Sequence, residues 1–327
     1  MPKVSVIVPN YNHGRFLRRR IQSILNQTYQ DFEVIYLDDC STDNSEEIFS
    51  LFRNHAKIRA FYNKENSGSA FKQCNKGTRL AQGEYIWVAE ADDYAERDFL
   101  EIMVAALNEH PSVGLAYCQS LAVDEHDNVL YRLSEQVKFL DPQRWNTNFI
   151  NNGRDECKRY LLFKNTIPNF SAVLFRRSVF EEAGYAEEKL KLSGDYLTWI
   201  KMLAISDVAF IAKPLNYFRH HSGTIRHSAG QGLAFLEHYK ILAYARNHLM
   251  FAREDMEPVY DKVLKRWRRK IFRARERMSW QTSLPIYRTA RKVDPKFHRR
   301  MILQLIQAST QGIFKKIKRM SRAFKHS

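Results

Sequence analysis

Between Val4 and Cys118 the chain repeats one cadence: a short apolar run, a polar break, then apolar residues at helical spacing. No other feature constrains the fold as tightly. The runs are VSVIVP (4–9), FEVIYLD (32–38), KIRAFY (57–62), EYIWVA (84–89) and VGLAYC (113–118), mostly rich in β-branched and aromatic residues and of strand length. Between them, Leu17, Ile21, Ile24 and Leu25 share one helical face, and Asp43 and Glu46 have capping-box spacing before Ile48, Leu51 and Phe52. The polar turn NKENSGS leads into a helix over 70–81, and Leu100, Met103 and Leu107 mark a fourth helix. Strand–helix alternation at this pitch predicts an α/β domain with a mostly parallel sheet flanked by helices.

After residue 120 the alternation loosens. SAVLFR (171–176) and VAFIA (208–212) read as strands and DYLTWIKMLA (195–204) as a helix; from about Gln231 the pattern is entirely helical. The chain therefore divides into an α/β domain over 1–225, with halves of about 1–120 and 121–225, and a helical extension over 226–327. Charge marks the same division. Residues 262–327 hold 21 of the 52 Lys and Arg but only two acids, Glu276 and Asp294, a local +19 in a chain of net +16. The preceding residues carry −3, so an anionic partner is to be sought at the tail. Basic residues interleaved with aromatics on a sheet surface are lacking, and nucleic acid is not an expected partner. Four cysteines without CxxC spacing read as free thiols of a reducing compartment. The first residues already form a strand instead of a signal peptide, and no apolar run approaches the roughly 20 residues of a spanning helix. The expectation is a soluble or peripheral protein.

The segment EYIWVAEADDY sets Glu90, Asp92 and Asp93 directly after a buried strand. Crowded carboxylates raise one another's pKa, so such a cluster costs stability unless a proton or cation is shared; the other reading is an acidic turn in which Asp93 starts the next helix. In an open α/β sheet, ligands bind beyond the carboxyl ends of the strands. Those ends read Pro9-Asn10-Tyr11-Asn12-His13-Gly14, Asp38-Asp39-Cys40-Ser41-Thr42-Asp43 and Glu90-Ala91-Asp92-Asp93. Neither GxGxxG nor GxxxxGK[ST] is present, which removes the glycine cradles for a phosphate. A diphosphate would bind this rim through Mg²⁺ or Mn²⁺, for which carboxylates are suitable ligands.

VSVIVPNYNHGRFLRRRIQSILNQTYQDFEVIYLDDCSTDNSEEI contains a PxYN turn and a SxxxQTYxDFEVIxxDDxSxD block. With the acidic cluster after the fourth strand, it resembles the nucleotide-binding half of the inverting family 2 glycosyltransferases, of bacterial surface-polysaccharide type. The resemblance covers roughly residues 3–225. It implies the glycosyltransferase A fold and transfer of a sugar from a UDP- or dTDP-linked donor with Mn²⁺ or Mg²⁺. By that resemblance Pro9 and Tyr11 form the turn that packs on the nucleobase, Asp39 accepts the N3–H of uracil or thymine, and Asp38 and Asp43 support the loop, Asp43 being equally a helix cap. Asp92 matches the metal-binding acid of the D-x-D signature; Glu90 stands where Asp is usual and meets either ribose or metal. Ser69, Lys72 and Asn75 lie near the donor, and Asp93 faces the acceptor or caps the next helix.

LSGDYLTWIKML (192–203) resembles the family's acceptor-side segment, which places Asp195 as general base, with the N-cap of its helix as the other role. Gly194 stands where an acid often precedes it. Asn169 and Ser171 fall beneath the acceptor pocket. In NYFRHHSGTIRHS (216–228), Arg219, His221 and Arg226 match a closing Arg-x-His segment, His221 as a metal ligand and Arg226 on the diphosphate. In QGIFKKIKRMSRAFKHS (311–327), Ile313, Phe314, Ile317, Met320 and Phe324 recur at helical spacing among six basic residues, the pattern of a helix lying on an anionic membrane. VLKRWRRKIFRARERM (263–278) offers a second basic surface, with Val263, Trp267 and Ile271 turned inward. The expectation is a nonprocessive transferase on the cytoplasmic face of the membrane, using a glycan or lipid-linked acceptor. The alternative is a glycosyltransferase-like scaffold without turnover, which Gly194 alone favours.

Overall fold

In the computed structural model, which describes residues 1–221, 231–272 and 278–308, the alternation becomes one ten-stranded sheet. Strands β1 (Val4–Asn10), β2 (Phe32–Asp38), β3 (Ile58–Tyr62) and β4 (Tyr85–Val88) run parallel in the order β3-β2-β1-β4. Every residue of β2 and β4 is buried, which is why their sequences show no apolar–polar alternation: both faces are covered. The covering helices are α1 (Gly14–Leu25), α2 (Ser45–Ser50), α3 (Ala70–Leu80) and α4 (Phe99–Glu109). Leu17, Ile21 and Ile24 of α1 join Val4, Val6 and Val8 of β1, with Phe49, Trp87 and Phe99, in one core.

The sheet then becomes mixed. After β5 (Tyr94–Ala95) come β6 (Val113–Val123), β7 (Val129–Arg132), β8 (Phe149–Asn151), α5 (Gly153–Glu156), β9 (Val173–Arg176), α6 (Arg177–Glu182), α7 (Gly194–Leu203) and β10 (Asp207–Arg219). The SAVLFR run supplies β9, which enters antiparallel between β4 and β6. Strand β10 is parallel to β6, with register shifts around Pro214, where a proline cannot donate to the ladder. Its far end pairs antiparallel with β5, Tyr217 opposite Tyr94 with rings stacked at 4.3 Å. That pairing draws the segment after β10 onto the loop between β4 and β5.

The chain divides into two compact units, Met1–Ala229 and Gly230–Ser327. The second contains α8 (Gln231–His248), α9 (Arg253–Phe272), α10 (Trp280–Val293) and helical residues 297–308. Its core includes Tyr239, Leu242, Val259, Trp267, Ile286 and Phe297. Val263 and Trp267 are buried there, and Ile271 is half-buried. Arg300 donates to Asp294 and Glu257 and ties the last helical segment to α9 and the end of α10. The amphipathic run 311–327 lies outside the described residues.

Candidate active site

The loops after β1 and β2 are latched together by side chains that the PxYN and DDxSxD patterns specify. Asn12 Oδ1 accepts from the Thr42 amide at 2.7 Å, and Ser41 Oγ accepts from the Asn12 amide at 3.0 Å. Asp38 accepts from Asn10 Nδ2 and from the Ser41 amide. Asp43 accepts from the Gly14 and Ser45 amides, so it joins the starts of α1 and α2. Gly14 is required there, because a Cβ would stand 2.3 Å from Asn44 Oδ1. Asn12 and Cys40 both have positive φ, 57° and 65°, backbone strain that concentrates at binding loops. Tyr11 is 46% exposed beside Pro9.

Asp39 is 4% exposed, and its carboxylate is held by the NKENSGS turn. Oδ1 accepts from Asn63 Nδ2 (2.6 Å), the Ser67 amide (2.9 Å) and Gln73 Nε2 (2.8 Å), whereas Oδ2 accepts from Ser67 Oγ (2.7 Å). The arrangement fixes the carboxylate's plane and leaves Oδ2 with spare acceptor capacity. Ser69 is half-buried at the start of α3, and exposed Lys72 donates its ammonium to the Ser67 carbonyl at 3.2 Å. Asn75 is buried and bonded to Ala186 and Glu188, a packing role away from this loop.

The acidic loop after β4 is where the electrostatics are most perturbed. His221 Nε2 lies 3.1 Å from Asp92 Oδ2, although 129 residues separate them. His13, from the turn before α1, packs its ring edge-on to that of His221 at a centroid distance of 5.4 Å. One ligand atom from each of His13, Asp92 and His221 falls within 4.8 Å of the others, a donor set that fits a divalent ion. Burial pushes the Asp92 carboxyl up, but the hydrogen bond from His221 and the nearby histidines outweigh it and hold Asp92 below the usual carboxylate range. Burial lowers the His13 imidazole, as does His221, against the pull of Asp92. Glu90 is raised well above its ordinary value, first by burial and then by Asp93, Asp92 and Asp195. That Asp195 influences Glu90 puts the base candidate beside the same loop.

Beneath the loop sit the residues expected on the acceptor side. Asp93 is 2% exposed; it accepts from Asn169 Nδ2 at 2.8 Å and from the Arg219 amide at 2.9 Å. Burial, then the charge of Asp92, pushes its carboxyl up to about 7. Ser171 is fully buried, accepts from the Glu90 amide through Oγ and from Trp87 Nε1 through its carbonyl. Arg219 donates to the Asp92 and Asp124 carbonyls and pairs with Asp127, which clamps the end of β10 to the loop. Arg226 lies outside the described residues.

Asp195 lies in the first turn of α7, after Gly194, and Ser193 takes the N-cap position that the sequence offered to Asp195; the Asp195 side chain is 8% exposed and accepts from Asn165 Nδ2 at 3.2 Å. Asn165 also lines a small cavity with Tyr117, Gln119, Ser120 and Trp145. Gly194 has a packing reason: a Cβ there would stand 2.5–2.7 Å from three ring atoms of Phe71. The aromatic ring takes the volume that an acid at 194 would need.

Sequence reasoning missed His13, whose only signal was its place one residue after the PxYN turn. It also missed Arg20, fully buried, which donates Nε to the Glu90 carbonyl and lies over Trp87 at 4.9 Å. One arginine among the three consecutive arginines of α1 gives no hint of being the buried one. Burial lowers its guanidinium to about 10, against the pull of Asp93, Glu90 and Asp92.

Residues 5–184, more than half of the chain, match the family model of glycosyl transferase family 2. Glycosyltransferase GlyG of Streptococcus pneumoniae is 28% identical over 228 residues, 68% of this chain and 72% of that protein. Among solved structures, residues 1–349 of TarS from Staphylococcus aureus in complex with UDP-GlcNAc superpose with a TM-score of 0.65 at 20% identity, covering 88% of this chain and 79% of that one. The mannosyltransferase PcManGT of Pyrobaculum calidifontis, in complex with GDP-Man and Mn²⁺, superposes with a TM-score of 0.58 at 18% identity over 96% of this chain and 88% of that one. These likenesses establish a glycosyltransferase A fold.

Proposed function

The chain belongs to glycosyl transferase family 2 and is a transferase, and from that premise we propose a metal-dependent, inverting transfer of one sugar from a UDP- or dTDP-linked donor to a hydroxyl of a glycan or lipid-linked acceptor. The observation that carries the reading is the convergence of His13, Asp92 and His221 beyond the carboxyl ends of β1, β4 and β10. Mn²⁺ or Mg²⁺ held by those side chains supplies positive charge against the donor's diphosphate, and the complexes of TarS with UDP-GlcNAc and of PcManGT with GDP-Man and Mn²⁺ are consistent with such a site.

On this reading Tyr11 stacks on the nucleobase, with Pro9 shaping the turn, and Asp39 Oδ2 accepts the base N3–H. Ser69, Lys72 and Arg226 act on the donor, and Glu90 meets ribose or metal. Asp195 accepts the proton of the attacking acceptor hydroxyl, oriented by Asn165. Asn169, Ser171 and Asp93 act from below, holding the acidic loop under the acceptor. A scaffold without turnover loses its one sequence argument, because Phe71 accounts for Gly194.

No helix among the described residues is long and apolar enough to cross a membrane. Trp280, Ile302 and Leu303 are nonetheless exposed in the basic helical unit, ahead of the amphipathic run 311–327. That pairing supports peripheral attachment to an anionic membrane surface at its cytoplasmic face.

The test is a screen of nucleotide sugars with Mn²⁺, run on the wild type and on Asp195→Asn. Removing the base while keeping its shape should reduce transfer by about 10²-fold or more with nucleotide affinity nearly unchanged. Transfer close to wild type would leave Asp195 as an acidic residue in the first turn of α7 and nothing more.

A further inference from the structure

The small cavity that Asn165 lines has no part in the reaction as proposed so far. Leu133, Val137, Trp145 and Phe210 form its apolar wall, and Tyr117, Gln119 and Thr166 bring polar groups to it. Asn165 is half-buried and donates Nδ2 to Asp195, so the cavity adjoins the acceptor side of the site. We propose that it receives the acetyl group of an acetamido sugar, which makes the acceptor an N-acetylated glycan. The proposal rests on the assignment of Asp195 as base and adds to it the class of acceptor.

Size sets the first limit. The cavity volume is about 30 Å³, room for about two water-sized groups. A sugar ring is too large, whereas an acetyl group presents two such groups beyond its carbon, a carbonyl oxygen and a methyl.

Hydrogen bonding sets the second. The Ser120 and Ser134 amides both donate to one atom of the buried Gln119 side chain, which must therefore be Oε1. Nε2 is left without a hydrogen-bond partner among the described residues. Thr166 is buried, and its Oγ1 likewise has no partner among the described residues. The Tyr117 hydroxyl accepts from Trp145 Nε1 at 2.9 Å, which leaves its hydrogen to donate. Buried donors without acceptors are costly, and no carboxylate lines the cavity to take them. The acceptor atom has to come from a ligand.

The apolar wall separates the candidates. A carboxylate would turn its second oxygen toward that wall, and Lys164, the cation at this cavity, gives its ammonium to the Gln136 carbonyl and Oε1 instead. A hydroxymethyl group would add a further donor where donors are already in surplus. An acetyl group satisfies both halves: the carbonyl oxygen takes the donors and the methyl meets the apolar side chains.

The experiment measures binding of methyl glycosides to the full chain by saturation-transfer NMR. The 2-acetamido sugars of gluco, galacto and manno configuration are compared with their 2-hydroxy counterparts. At least one 2-acetamido glycoside should bind at least about tenfold more tightly than its counterpart, with the acetyl methyl receiving the most saturation. Its 2-propionamido analogue should bind at least about tenfold more weakly, because the cavity has no room for a further methylene. Thr166→Val keeps the side-chain shape and removes one donor. It should bring the acetamido preference below about threefold without lowering the thermal transition, because the hydroxyl has no partner among the described residues to lose. No turnover is involved, so these results stand apart from any loss of transfer in Asp195→Asn. Equal binding of 2-acetamido and 2-hydroxy glycosides across the panel, equal binding of the propionamide, or an acetamido preference that Thr166→Val leaves intact would overturn the proposal and leave the cavity to ordered water.

Discussion

Asp93 carries a charge cost that Asn would remove. Its carboxyl is buried and pushed up to about 7 from an ordinary 3.8. The folded chain therefore binds this proton more tightly than the unfolded chain, and stability contributed here falls as pH rises from about 4 to about 7. One pKa unit corresponds to about 1.4 kcal/mol, so the shift corresponds to about 4 kcal/mol once pH exceeds the folded value. Glu90 and Asp92 share the same site and part of that cost, which makes the figure an upper bound. Asp93→Asn keeps an oxygen for the Arg219 amide, and the amide of Asn169 can turn its oxygen, which has no hydrogen-bond partner among the described residues, toward the new Nδ2. In EDTA the variant should gain stability relative to wild type between pH 5 and pH 8, by on the order of 2–3 kcal/mol. Urea denaturation at both pH values, followed by the fluorescence of tryptophans such as Trp87, measures the difference. A mutational effect that is the same at both pH values, or more destabilising at pH 8, would refute the burial argument.

Gly194→Ala should destabilise the fold by about 1–3 kcal/mol, because its Cβ overlaps the Phe71 ring; a double-mutant cycle with Phe71→Leu that shows no coupling would contradict the contact. Asp39→Ala should abolish measurable UDP and dTDP binding, and unchanged affinity would remove Asp39 from the base pocket. In the helical unit, hydrogen bonds from Lys296 and then Arg300 hold Glu257 down to about 2. Its stabilisation is present above the ordinary value of about 4.5 and lost as pH falls toward 2, so Glu257→Gln should lower the unit's stability at pH 7 and flatten its acid transition. Removing residues 312–327 should release the protein from anionic liposomes in flotation while donor hydrolysis persists; equal flotation would end the anchoring argument.

The fold was legible where local pattern and tertiary role agree. Strand β2 spans 32–38, the FEVIYLD run itself, and α3 ends one residue short of the helix read from sequence. The antiparallel entry of β9 was not legible, because SAVLFR has strand composition but nothing local to state its direction or neighbours. The site divides in the same way. Asp38, Asp39 and Asp43 stood out because loop chemistry is written in adjacent residues. The approach of His221 to Asp92 depends on β5 pairing with β10, a contact more than 120 residues long in sequence. Asp93 is tied to the end of β10 through the Arg219 amide, Ser171 is held by Glu90 and Trp87, and Arg20 is a buried cation because α1 sets it against Trp87, all contacts between residues far apart in sequence.

The central claim is that this carboxylate rim binds a nucleotide diphosphate through a divalent ion. Calorimetric titration of UDP and dTDP into the full chain, once with Mn²⁺ and once with excess EDTA, tests it directly. The account predicts saturable binding with the ion and a loss of affinity of at least about tenfold in EDTA, reproduced with Mn²⁺ present by Asp92→Ala. Nucleotide affinity that is the same in Mn²⁺ and in EDTA would contradict it.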